Sequence, residues 1–175
     1  MAYKVYTTSA FLLGSRDTGE SSRVYYLFTR ELGLVHAYAR SVRELRGKLR
    51  MHLEGGTYIK VTLVLGKEYW RIIGVEEMLV GKDNFYHARA YSGVFSLLSR
   101  FVGVEDIHVE LFDELADSYI QTTKLVWPSL ESDRLESMLS LRALDRLGYV
   151  AKGVGYGDRA EIMRAINQAL NVSHL

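Results

Sequence analysis

Hydrophobic and polar positions follow one rhythm over the first eighty residues and another over the rest. "YKVYTTSAFLL" (3–13) is rich in aromatic and β-branched residues and reads as a strand stopping at Gly14. "GSRDTGES" then offers turn chemistry, with Gly19 free to take a positive φ. "SRVYYLFT" (22–29) is the next strand, "RELG" a tight connection, and "LVHAYAR" (34–40) the third strand. "TYIKVTLVL" (57–65) and "YWRIIGV" (69–75) follow as a hairpin turned at Gly66-Lys67-Glu68. Five short strands with one longer connection after the third predict the five-stranded barrel of an OB-fold, with an SH3-like barrel as the nearest rival. Alternation in the third strand sends Val35, Ala37 and Ala39 inward and His36, Tyr38 and Arg40 outward. In the second it predicts Val24, Tyr26 and Phe28 inside, with Arg23 and Tyr25 outside.

After Gly81 the spacing lengthens to that of helices. "NFYHARAYSGVFSLLSRFV" aligns Phe85, Ala88, Tyr91, Phe95 and Leu98 on one stripe, and the next segment aligns Ile107, Leu111, Leu115, Tyr119 and Ile120. "DRLESMLSLRALDRLGYV" predicts a third helix ending at Gly148. Asp158 and Glu161 have the spacing of a capping box for a fourth. Pro128 falls in the break between the second and third helices. The expected class is α+β: residues 1–80 an OB-fold barrel, residues 81–175 an α-helical domain.

Composition changes this picture little. The 175 residues include no cysteine, which excludes disulfides and thiolate metal sites and makes a cytoplasmic location the expectation. No window is apolar enough for a membrane span, and "MAYKVYTT" lacks the order of a secretory signal. Charge is more telling. The net charge of +1 conceals a first part, residues 1–80, with twelve Lys/Arg against eight Asp/Glu, and a remainder with ten against thirteen. An anionic partner for the first part is the expectation.

Five of those cations, Arg40, Arg43, Arg46, Lys48 and Arg50, crowd into the connection after the third strand, with Glu44 the one acid among them. Val42, Leu45, Leu49 and Leu53 lie at helical spacing, so the stretch can be read as a helix plugging the barrel with its charges in water. Gly47 weakens that helix and leaves a loop possible. The adjoining strands favour a binding role, because Arg23, Tyr25, His36 and Tyr38 interleave rings with cations on one expected face. Single-stranded nucleic acid matches this pairing: rings stack on bases while cations follow phosphates. Tyr58, Lys60, Lys67, Tyr69 and Arg71 extend the candidate surface. Five phosphate pairs in the loop alone predict a log–log salt slope of about −3.5 for single strands.

An ordered set of short motifs runs through this part: Ala10 to Leu13, Arg16, Gly19-Glu20, Leu27-Phe28-Thr29, Gly33-Leu34 and Ala39-Arg40, then Ser41-Val42-Arg43 and Gly47-Lys48-Leu49. It resembles the opening of the bacterial RecO family, recombination mediators of DNA repair, and "LRALDRLGYV" is similar to the helix ending in L-G-Y of that family's second domain. The resemblance implies a non-catalytic protein without a cofactor. It would bind single- and double-stranded DNA and anneal complementary strands. Its implied partners are RecR and the acidic tail of single-strand-binding protein, with which it would aid recombinase loading. The candidate DNA-binding set is Arg16, Arg23, Tyr25, His36, Tyr38, Arg40, Arg43, Arg46, Lys48, Arg50, Lys67 and Arg71. Arg89, Arg100 and Lys124 are candidate contacts for the acidic tail. Many relatives carry a four-cysteine zinc element after the L-G-Y position; "AKGVGYGDRAEIM" stands there instead, so no metal is expected.

Enzyme signatures are weak. The five histidines lack metal-ligand spacing, Asp113, Glu114 and Asp117 fall on the polar side of a helix, "GVGYGD" lacks the lysine of a phosphate loop, and no G-x-S-x-G elbow surrounds Ser92 or Ser96. The alternatives to DNA binding are a barrel that takes an acidic peptide or partner subunit, and an RNA-binding barrel.

Overall fold

The computed structural model describes residues 4–18, 22–39, 57–67, 69–79, 85–123, 129–150 and 159–172. Strands β1 (Val5–Thr18), β2 (Ser22–Thr29), β3 (Gly33–Ala39), β4 (Tyr58–Leu65) and β5 (Trp70–Leu79) are followed by helices α1 (Phe85–Phe101), α2 (Val109–Thr122), α3 (Ser129–Arg146) and α4 (Arg159–Val172). The strands close a barrel in the order β1-β2-β3-β5-β4, with β4 returning to β1. All neighbours run antiparallel except β3 and β5, which meet in parallel through Ala37–Trp70 and Tyr38–Arg71. This is the OB-fold barrel followed by helices that the hydrophobic pattern predicts.

Two layers of apolar side chains explain why both faces of several strands are hydrophobic. Inside the barrel lie Leu12, Tyr25, Leu27, Val35, Ala37, Ile59, Val61, Leu63 and Trp70. Ala37 is small where its cross-strand partner Tyr25 is large, so the pair fills the narrow interior without a clash. Outside, Phe11, Phe28, Leu34 and Tyr58 form a second core with Tyr91, Phe95, Leu98, Phe112 and Tyr119 of α1 and α2. The Phe11 ring centroid lies 5.0–5.5 Å from those of Tyr58, Phe95, Phe112 and Tyr119. A third cluster joins α3 and α4 through Leu141, Leu144, Ile162 and Ile166.

β1 does not stop at Gly14. It continues to Thr18 through a bulge: Leu12 pairs with Leu27 and Gly14 with Tyr26, leaving Leu13 as an extra residue. One inserted residue exchanges the faces of everything beyond it, since side chains alternate with period two. Phe11 therefore faces outward before the bulge, and Arg16, of opposite parity, faces outward after it.

At the helices, Leu111, Leu115 and Tyr119 are buried as the stripe requires. Ile107 precedes α2 and is exposed, as is Ile120. α3 ends as expected at Gly148, whose φ of +80° suits a residue without a Cβ; Tyr149 N–H closes the turn on the Leu144 carbonyl at 2.8 Å. Pro128 and Asp158 lie outside the described residues. Among the described residues no helix is long and apolar enough to cross a membrane.

Candidate nucleic-acid interface

Strand register assembles the site. The pairs Arg16–Val24, Val24–Tyr38 and Tyr38–Arg71 put one row of side chains across β1, β2, β3 and β5 on the barrel's outer face. The next row is Gly14–Tyr26–His36. The third, Phe28–Leu34, is buried under the helices. The outer face of the β2–β3 hairpin is thus buried under the helices at the Gly33 end; toward Ala39, Val24 is also buried, Tyr26 and Tyr38 are half-buried and His36 is exposed.

Four rings lie at the end toward Ala39. Tyr38 and Tyr69 sit with centroids 4.7 Å apart and planes tilted by 50°. Tyr26 and His36 meet edge to face at 4.9 Å and 82°. His36 is exposed and Tyr69 is 36% exposed, while Tyr26 and Tyr38 are half-buried. Cations flank them: Arg16 is exposed on β1, Arg71 is half-buried beside Tyr38, and Lys67 is exposed in the β4–β5 turn. That turn is fixed by the Gly66 N–H donating to the Tyr69 carbonyl at 2.9 Å.

Four residues of the expected surface lie elsewhere. Tyr25 is 1% exposed inside the barrel, because Thr29–Gly33 pairing matches it with the inward Ala37; Tyr26, expected inside, takes the outer position. Arg23 pairs with Asp17 and Ala39 on the inward parity and donates to Asp17 at 2.6 Å, a bond that raises the guanidinium pKa further. Its charge is matched by an acid, so it adds little to an anion-attracting field. Tyr58 is sealed beneath α2 against Phe112 and Tyr119. Lys60 is exposed, but on β4 and 3.7 Å from Glu76, away from the Tyr38 row.

Arg40, Arg43, Arg46, Lys48 and Arg50, with Val42, Leu45, Leu49 and Leu53, lie outside the described residues; the chain enters that stretch one residue after Ala39. In the helices, Arg89 reaches Asp133 at 3.2 Å and Arg100 donates to the Leu170 carbonyl at 3.4 Å, while Lys124 lies outside the described residues. Two of the α2 acids have structural partners: Asp113 accepts from Arg30 at 2.7 and 2.8 Å, and Glu114 accepts from Arg146.

Comparison with known proteins matches residues 1–77 to the family model described as Recombination protein O N terminal. The chain is similar to the DNA repair protein RecO of Dehalococcoides mccartyi, at 38% identity over 69 residues, 39% of this chain and 27% of that protein. The DNA repair protein RecO of Heliobacterium modesticaldum is 30% identical over 152 residues, 83% of this chain and 52% of that protein. That of Thermobifida fusca is 38% identical over 63 residues, 36% of this chain and 26% of its own length. The chain thus spans about half, or less, of the length of these curated relatives. With the barrel order and the matched residues coinciding, the barrel of this chain is of the RecO N-terminal family, and the rest of the chain is similar to RecO through the Heliobacterium modesticaldum protein.

Proposed function

We propose that the protein acts in DNA repair as a recombination mediator, holding DNA on the outer face of β2, β3 and β5. The observation that carries this is the Tyr38–Tyr69 ring pair at 4.7 Å, with Tyr38 in the register row that runs from Arg16 through Val24 to Arg71. Rings can stack on any base and cations can follow any backbone, so the face binds without reading sequence. Single strands use rings and cations together; duplex DNA, its bases already stacked, uses the cations. The arginines of residues 40–50 enlarge the cationic field in this reading. A surface of this kind screens repulsion between two backbones and leaves base edges free, which is what annealing needs.

Work with RecR and single-strand-binding protein to load recombinase is part of the same proposal, and rests on the likeness to the RecO family. A groove of about 300 Å³ between α1, α3 and α4 is lined by Arg89 and Arg159 with Leu97, Met163 and Ile166, but also by Asp133, which pairs with both arginines, and by Glu136, so it offers no net positive charge to the acidic tail. No catalytic step is assigned.

The test is strand annealing followed by fluorescence. Tyr38→Leu/Tyr69→Leu is expected to slow annealing and weaken single-strand binding by about tenfold or more, from about 1–3 kcal/mol per stacked base. Wild-type rates in a folded double variant would remove this face from the mechanism.

A further inference from the structure

The connection between α1 and α2 reaches the barrel at the seam where it closes. β3 and β5 are joined there by Ala37–Trp70 and Tyr38–Arg71. Toward its start, β3 is met by the connection instead: Leu34 forms a parallel bridge with Val104, and the Glu105 N–H donates to the Leu34 carbonyl at 2.8 Å. Close approach is possible because Gly33, at φ +68°, has no Cβ; a methyl there would run into the Asp106 carbonyl.

Glu105 itself has φ +61°, the left-handed region that a side-chain-bearing residue enters at a cost. This conformation delivers its carboxylate to the barrel, where Oε1 accepts from the Trp70 indole Nε1–H at 2.9 Å. Trp70 is 8% exposed and is braced from the other side by Tyr6, edge to face at 5.3 Å. Its two chain neighbours are Tyr69, whose ring packs against Tyr38, and Arg71, the register partner of Tyr38.

We propose that Glu105 is a positioning residue for the nucleic-acid interface: by holding the Trp70 indole from the helical side, it sets how Tyr69 and Arg71 are presented beside Tyr38. This rests on the reading of that face as a nucleic-acid site. A side chain tethered at its far end has fewer rotamers, and the backbone on either side of it inherits the restriction. The left-handed backbone and the indole bond coincide in one residue, which is how strain is retained at a functional position. The helical half thereby fixes the geometry of the β5 end of the site without touching the ligand.

The experiment uses the full chain carrying Trp127→Phe, so that Trp70 alone reports, and a fluorescein-labelled oligothymidylate at low salt. Glu105→Gln keeps an acceptor for the indole and is expected to bind as the parent does. Glu105→Gly removes the carboxylate while suiting the left-handed backbone. It is expected to keep the parent's unfolding midpoint, shift Trp70 emission, and bind about fivefold more weakly, the scale of one lost hydrogen bond. Trp70→Phe, made with Trp127 intact, breaks the same bond from the other side and should lose a similar factor, with no further loss in combination with Glu105→Gly. Parent-like affinity in both folded variants overturns the positioning role and leaves the interface standing. No oligonucleotide binding by the parent overturns the interface and the positioning role with it.

Discussion

Tyr25 and Tyr26 are adjacent, chemically identical and opposite in role. Tyr25 fills the barrel opposite Ala37, and Tyr26 stands on the outer face against His36. Tyr25→Ala is therefore expected to cost about 3–5 kcal/mol of stability, measured as a lower urea midpoint. Tyr38→Leu and Tyr69→Leu are expected to leave that midpoint nearly unchanged and to weaken oligonucleotide binding singly, each by about fivefold, less than the double variant. The sequence pattern of β3 shows its inward residues correctly, because its outer face carries His36. The pattern of β2 is ambiguous, because apolar side chains occupy both faces: Leu27 in the barrel, Phe28 under the helices. The missing signal was in the hairpin. Pairing Thr29 with Gly33 across the short turn ties Leu27 to Val35 and Tyr25 to Ala37, which assigns the tyrosines without any structure.

At the scale of elements, the barrel is pinned to α2 by Arg30, which bridges from the β2–β3 turn to both oxygens of Asp113. The guanidinium holds the Asp113 carboxyl below the ordinary carboxylate range, chiefly by that hydrogen bond. A carboxylate depressed in the folded state stabilises above its unfolded pKa, about 3.9, and the contribution fades as pH falls through the folded value. Arg30→Gln is thus expected to lower the unfolding midpoint at pH 7 and to narrow its gap from wild type below about pH 4, in thermal melts across pH. Glu136 of α3 behaves in the opposite sense. Its carboxylate lies against Gly93 of α1, and burial, then the charge of Asp133, raises its pKa despite Arg89. Ionisation there opposes folding as pH rises. Glu136→Gln should raise the melting temperature at pH 7, with the gain shrinking toward about pH 4. Strand and helix identities were legible from period alone. The Leu13 bulge was not, because Gly14 reads as a terminator until its pairing with Tyr26 is seen.

At the scale of the whole molecule, the chain changes from strands to helices between Leu79 and Phe85, yet the cores do not divide there. Phe11, Phe28, Leu34 and Tyr58 of the barrel are buried by α1 and α2, so a fragment of residues 1–80 would expose a contiguous apolar patch. Such a fragment is expected to self-associate in sedimentation, where the whole chain does not. The helices leave the Tyr26–His36 and Tyr38–Tyr69 pairs outside the second core, His36 and Tyr69 exposed and Tyr26 and Tyr38 half-buried, with Arg16 and Arg71 beside them. Titration of labelled oligothymidylate over a series of salt concentrations tests that surface most directly, with wild type, Tyr38→Leu/Tyr69→Leu and Arg16→Gln/Arg71→Gln compared as folded proteins. The ring variant should give a line parallel to wild type and displaced by about tenfold or more, since stacking releases no counterions. The arginine variant should flatten the slope by about 1.4, roughly 0.7 for each phosphate that is no longer neutralised. Lines superimposed on wild type for both variants would contradict the account.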